Sequence, residues 1–98
     1  MINYNFEWDV NKAKSSVVKH KISFEIATSV FKDKNLISIF DECHSENEER
    51  WATIGLDIKT RTLVVVHTYI GIDKNNYNIR IISARKATKN EEKIYYEG

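Results

Sequence analysis

Near Leu36 the spacing of apolar residues changes from three or four to two, and that switch divides the chain into a helical part and a sheet part. Ahead of it, residues 6–8 read as a short strand or extended arm. Asp9 is placed as the N-cap of a helix reaching about His20, with Val10, Ala13, Val17 and Val18 on a helical stripe. Lys19, His20 and Lys21 close that helix with positive charge, where the helix dipole favours cations. Ser23 is a second N-cap, followed by Phe24, Ala27, Val30 and Phe31 at helical spacing, so a helical hairpin is expected.

Beyond Leu36 the alternation predicts strands over 36–40, 51–56, 61–70 and 77–84, joined by an acidic loop at 41–47, a turn at 57–60 and a polar loop at 71–76. Short connections imply an antiparallel meander, and Thr88 then caps a last helix with Glu91 and Glu92 in its first turn. The expected class is α+β: two N-terminal helices, a four-stranded antiparallel sheet and a C-terminal helix, forming one domain over residues 1–98.

Composition excludes several classes. A 42% hydrophobic and 11% aromatic content is that of a folding chain and not of a disordered one. The longest apolar run spans only 63–66, so no membrane helix is expected, and the N-terminus lacks the pattern of a secretory signal. A single cysteine, Cys43, has no internal partner for a disulfide, which fits a cytoplasmic location. Net charge is only +1, but it is unevenly spread. Residues 1–50 hold seven Lys/Arg against nine Asp/Glu, and residues 51–98 hold eight against five, for −2 and +3. Three or four of the second-half cations on one face would suit a short RNA, while a solvated surface explains most of them equally well.

The strand end at 80–88 carries Arg80, Arg85 and Lys86, and guanidinium groups favour phosphate and carboxylate because their planar fork donates two parallel hydrogen bonds. If that strand is regular, Arg80 and Arg85 point to opposite faces. Arg80 is equally suited to pairing with Glu48 or Glu49. His44 lies in a loop beside Ser45, Glu46, Glu48, Glu49 and Arg50, a setting for acid–base chemistry. His67 reads as a partly buried histidine with a hydrogen-bonding partner. No two histidines have the spacing of a helical zinc site, and no metal or cofactor is expected. Tyr95 and Tyr96, near the C-terminus, are candidate stacking partners for RNA bases.

In order and spacing these segments resemble the BrnT family of type II toxins. They are Phe6-Glu7-Trp8-Asp9 with Lys12 and Ala13, Lys19-His20, Ser23-Phe24-Glu25, Val30-Phe31 with Asp33, Asp41 with His44-Ser45, Glu48-Glu49-Arg50, Ile54-Gly55, Val65-Val66 with Thr68, and residues 80–87 followed by Glu91 and Tyr95. The chain departs from the pattern at Lys21, where glycine is usual, and in a longer loop at 71–78. The resemblance implies a RelE-like ribonuclease that cleaves mRNA without a metal. It implies neutralisation by a BrnA-like ribbon-helix-helix antitoxin, with operator DNA bound only through that antitoxin. It further implies that Arg50, Arg80 and Arg85 hold phosphate, that His44 or Glu48 moves protons, and that Lys86 and Tyr95 contact RNA. A non-catalytic module docking on an antitoxin or ribosome is the alternative.

Overall fold

The computed structural model describes residues 2–42 and 48–98. The elements run β1 (Asn3–Trp8), α1 (Val10–His20), α2 (Phe24–Ala27) continuing as a 3-10 turn (Thr28–Lys32), β2 (Ile37–Phe40), β3 (Arg50–Leu56), β4 (Thr62–Thr68), β5 (Ile70–Gly71), β6 (Asn76–Lys86) and α3 (Lys89–Glu97). The sheet order is β1-β6-β4-β3-β2, with β5 attached to β6. β2, β3, β4 and β6 are antiparallel neighbours, whereas β1 runs parallel to β6 from Asn3 opposite Asn76 to Trp8 opposite Ile81.

The α+β class therefore holds, and its finer description is corrected. The sheet is mixed, the arm at 6–8 is a full strand begun at Asn3, and the second helix is one α-helical turn followed by a 3-10 turn. The RelE-like plan implied by the resemblance fits only in coarse outline. β1 was difficult to read because its partner lies more than seventy residues away in the chain.

Local capping explains where the helices start. Asp9 accepts the backbone N–H of Lys12 at 3.0 Å, and Ser23 accepts that of Ile26 at 3.1 Å. Thr88 and Glu91 form a reciprocal capping box at α3, with Thr88 N–H donating to Glu91 at 2.8 Å and Glu91 N–H to Thr88 at 3.2 Å. α1 ends at Lys21 in the left-handed conformation, φ 59°.

Two clusters cover the two faces of the sheet. On one face Ile22, Phe24, Ala27 and Val30 pack on Leu63, Val65, Ile79, Ile81 and Ala84. On the other, Tyr95 of α3 packs with Ile54 and Val64. Of the expected α1 stripe, Ala13 packs against the core but the valines do not. Val10, Val17 and Val18 are 64%, 46% and 74% exposed, and Ser16 is the buried residue of that helix. Its hydroxyl donates to the carbonyl of Ile22 at 2.7 Å, which fixes α1 by a polar contact where an apolar stripe was expected.

Candidate functional site

The position of the arginines follows from one irregularity in β6. Val66 pairs with Ser83 but His67 pairs with Ile81, so Ile82 is an extra residue at a β-bulge. An extra residue shifts side-chain alternation by one step. Ile81 and Ala84 consequently both enter the α1/α2 core. Their neighbours Arg80 and Arg85 both emerge on the α3 face, which corrects the opposite-face expectation drawn from a regular strand.

On that face the pairing of Arg50 with Thr68 and the hydrogen bond from Arg80 N–H to the Thr68 hydroxyl, 3.3 Å, bring β3, β4 and β6 into one transverse row. Glu7 of β1 lies level with Arg80. The α3 cluster stops at Ala52, Ile54, Leu56, Val64 and Ala87 and does not include this row. At the row, Oε1 of Glu48 accepts Arg80 Nη2 and lies 3.6 Å from Arg50 Nη2. The side chains of Arg50, Arg80 and Glu48 are 32%, 44% and 35% exposed, which keeps the cluster open to a ligand. Two guanidinium groups thus converge on one carboxylate oxygen, a geometry that suits an anionic oxygen in its place.

Arg85 shares the face but has a different partner. Its Nη1 and Nη2 donate to Oε1 and Oε2 of Glu91 at 2.7 and 2.8 Å, a bidentate pair that ties the start of α3 to β6. Arg85 hydrogen bonds hold the Glu91 carboxyl down at about 2; burial opposes this and the Thr88 N–H assists it. Lys86 is exposed and sits opposite Leu63, on the other face from Arg85. His44 lies outside the described residues.

Tyr95 was expected near an exposed terminus, yet it is 5% exposed, and its hydroxyl donates to Oδ2 of Asp33 at 2.5 Å. Burial and that hydrogen bond raise its ionisation to about 12. Tyr96, beside it, is 66% exposed. Burial pushes the Asp33 carboxyl up, but N–H donors from Leu56 and Asn35 and the Tyr95 hydroxyl outweigh it and hold the carboxyl below its usual value. The apolar residues of α3 are the consecutive Ile94, Tyr95 and Tyr96, so no periodicity in the sequence singled out Tyr95 as the one that faces the core.

His67 is buried on the opposite face. Its Nδ1–H donates to the Thr68 carbonyl at 2.9 Å, so its Nε2 accepts the Thr53 hydroxyl at 2.6 Å, and Ser38 donates to Thr53 at 2.7 Å. Burial lowers its pKa. This is the hydrogen-bonded histidine that its strand context predicted. Glu7 and Thr68 were not singled out as neighbours of Arg80, because only the parallel edge pairing and the bulge bring them there.

No helix of the described residues is long and apolar enough to cross a membrane. A comparison with curated proteins finds no match. Among solved structures, the 1.1 Å crystal structure of the Brucella abortus ribonuclease toxin BrnT is similar at TM-score 0.53 and 19% identity, covering 86% of this chain and 96% of that one. At that identity the likeness concerns the fold. The family model described as ribonuclease toxin, BrnT, of type II toxin-antitoxin system matches residues 8–91, a span that includes the Glu48, Arg50, Arg80, Arg85 and Glu91 positions. The chain therefore belongs to the BrnT family of ribonuclease toxins of type II toxin-antitoxin systems.

Proposed function

We propose that the chain, as one toxin domain over residues 1–98, is an endoribonuclease that cleaves mRNA in the cytoplasm without a metal and is neutralised by a BrnA-like ribbon-helix-helix antitoxin. The observation that carries the site is the convergence of Arg50 and Arg80, from two different strands, on Glu48 beyond the edge of the α3 cluster.

In this reading a scissile phosphate enters between the two guanidinium groups, and a non-bridging oxygen takes hydrogen bonds that the Glu48 carboxylate receives in the free protein. Glu48, released from Arg80 but still beside it, takes the proton of the ribose 2′-hydroxyl. The 2′-oxygen attacks phosphorus, the bond to the 5′-oxygen breaks, and a 2′,3′-cyclic phosphate forms. The charge that gathers on the five-coordinate phosphate is met by Arg50 and Arg80, the role that fixed cations perform best in a transition state. His44 is the candidate donor to the leaving 5′-oxygen. Arg85 serves the site by holding α3, since its guanidinium is already engaged by Glu91. Tyr95 acts as a core anchor, and Lys86 remains a peripheral cation.

The alternative, a module that docks without chemistry, is favoured by the same pair read differently, because Arg80 already has a carboxylate partner. Induced expression separates the two. Growth arrest with fragmented RNA, lost in folded Arg80→Ala and Glu48→Gln variants, supports the ribonuclease; arrest with intact RNA supports docking.

A further inference from the structure

We propose that the groove between α1 and the edge of β6 is a phosphate-binding subsite for the RNA backbone that flanks the cleaved bond; this rests on the ribonuclease reading. The groove encloses about 230 Å³; Lys12, Ser15, Ser16, Lys19 and His20 of α1 line it on one side and Phe24 with residues 82–84 of β6 on the other. Positions 12, 15, 16, 19 and 20 form one helical stripe. The helix thus turns cations and hydroxyls toward the sheet and leaves Val10, Val17 and Val18 exposed, the reverse of a helix placed for packing alone.

Charge and backbone both point to an anion. No Asp or Glu lines the groove, and among the described residues Lys12, Lys19 and His20 form no ion pair. β1 ends with Trp8 opposite Ile81, so among the described residues that side of β6 has no strand partner from Ile82 onward. Ser16 donates to the Ala84 carbonyl there at 3.3 Å and fixes α1 over the open edge.

Continuity selects RNA over an acidic protein segment. The wall of the groove is Ile82 to Ala84, the bulged stretch that begins two residues after Arg80. A strand held at Arg50 and Arg80 passes around this sheet edge, beside Ser83, and meets Lys12 and Lys19 with its next phosphates. Lysines suit this role, since they bind phosphate as point charges and read no sequence.

The test is fluorescence anisotropy with a labelled twelve-nucleotide RNA whose 2′-hydroxyls are methylated to prevent cleavage. Wild type, Lys12→Gln/Lys19→Gln and Lys12→Arg/Lys19→Arg are titrated at several salt concentrations, with circular dichroism for folding. The Gln pair is expected to bind about tenfold more weakly and to lose about 1.4 from the log–log salt slope, at roughly 0.7 per phosphate contact on a single strand. The Arg pair is expected to bind like wild type, and cleavage of a dinucleotide by the Gln pair to stay at the wild-type rate. Unchanged affinity and slope in the Gln pair, with wild type binding RNA, would overturn the subsite and leave the ribonuclease reading standing. Failure of wild type to bind RNA would overturn both. Loss of binding to a polyglutamate peptide with RNA binding intact would overturn the RNA assignment of the groove.

Discussion

Arg80 and Arg85 occupy the same face of the sheet although an odd number of positions separates them, because the extra residue Ile82 resets the alternation between them. The same step lets Ile81 and Ala84, three apart, enter one core at 1% and 0% exposure. Without the bulge, a strand that buries Ile81 would turn Ala84 outward and Arg85 inward.

Insertion of one alanine between Ser83 and Ala84 should therefore be far more damaging than deletion of Ile82, which leaves a regular strand with Arg80 and Arg85 on the same face. The insertion would force either the Arg80 row or the Arg85 row through the sheet, costing roughly 3 kcal/mol or more. Thermal unfolding checks this. An insertion variant that melts cooperatively near the wild-type temperature would mean that alternation does not set the faces.

Acid should loosen α3 through Glu91. Its folded pKa, about 2, lies below the ordinary 4.5, so the pair stabilises fully above 4.5 and its contribution disappears as pH falls toward 2. Water reaches the Arg85 side chain, which is 40% exposed, and this discount leaves about 1–2 kcal/mol. Glu91→Gln is expected to lose that amount at neutral pH and to show a flatter decline between pH 4.5 and 2, read from urea midpoints. An unaltered decline would contradict the assignment.

Helix starts were legible in the sequence because they depend on single residues: Asp9, Ser23 and Thr88 each cap as their side chains dictate. The four central strands were legible from alternation. The parallel pairing of β1 was not, since Phe6 and Ile79 meet only in the folded sheet. The shared face of the arginines depends on a bulge with no glycine or other local marker. In α1 the valine stripe misled, because Ser16, with two carbonyl acceptors, takes the buried position. Closeness to the C-terminus suggests a surface position for Tyr95, whereas packing on Ile54 and Val64 and the hydrogen bond to Asp33 hold it in the core, contacts that Ile94, Tyr95 and Tyr96 in a row do not reveal.

The Asp33–Tyr95 hydrogen bond joins the 3-10 turn to α3, and Asp33 also accepts Leu56 N–H of β3 at 2.8 Å. Tyr95→Phe should destabilise by about 1.5–3 kcal/mol, the usual worth of a hydrogen bond to a charged group. Since the folded ionisation is raised to about 12, the wild type should also lose stability as pH rises from 10 toward 12, and the variant should lose less. Equal stability of the two proteins at pH 7 would refute the role.

Lys21 holds a left-handed cap without being glycine, φ 59°. Lys21→Gly removes the Cβ conflict but adds freedom to the unfolded chain, for a net gain of about 0.5–1 kcal/mol. The melting temperature should rise by roughly 2–8 °C for a chain of this size. A fall would show that the lysine side chain contributes more than its backbone strain costs.

The most direct measurement is cleavage of a defined RNA by purified wild type and Arg80→Ala in the presence of EDTA, with analysis of the fragment ends. The arginine–carboxylate site predicts cleavage by wild type to 2′,3′-cyclic phosphate ends, and a rate lower by about 10²–10³ in folded Arg80→Ala. No cleavage by wild type, or wild-type rates in the variant, would contradict it.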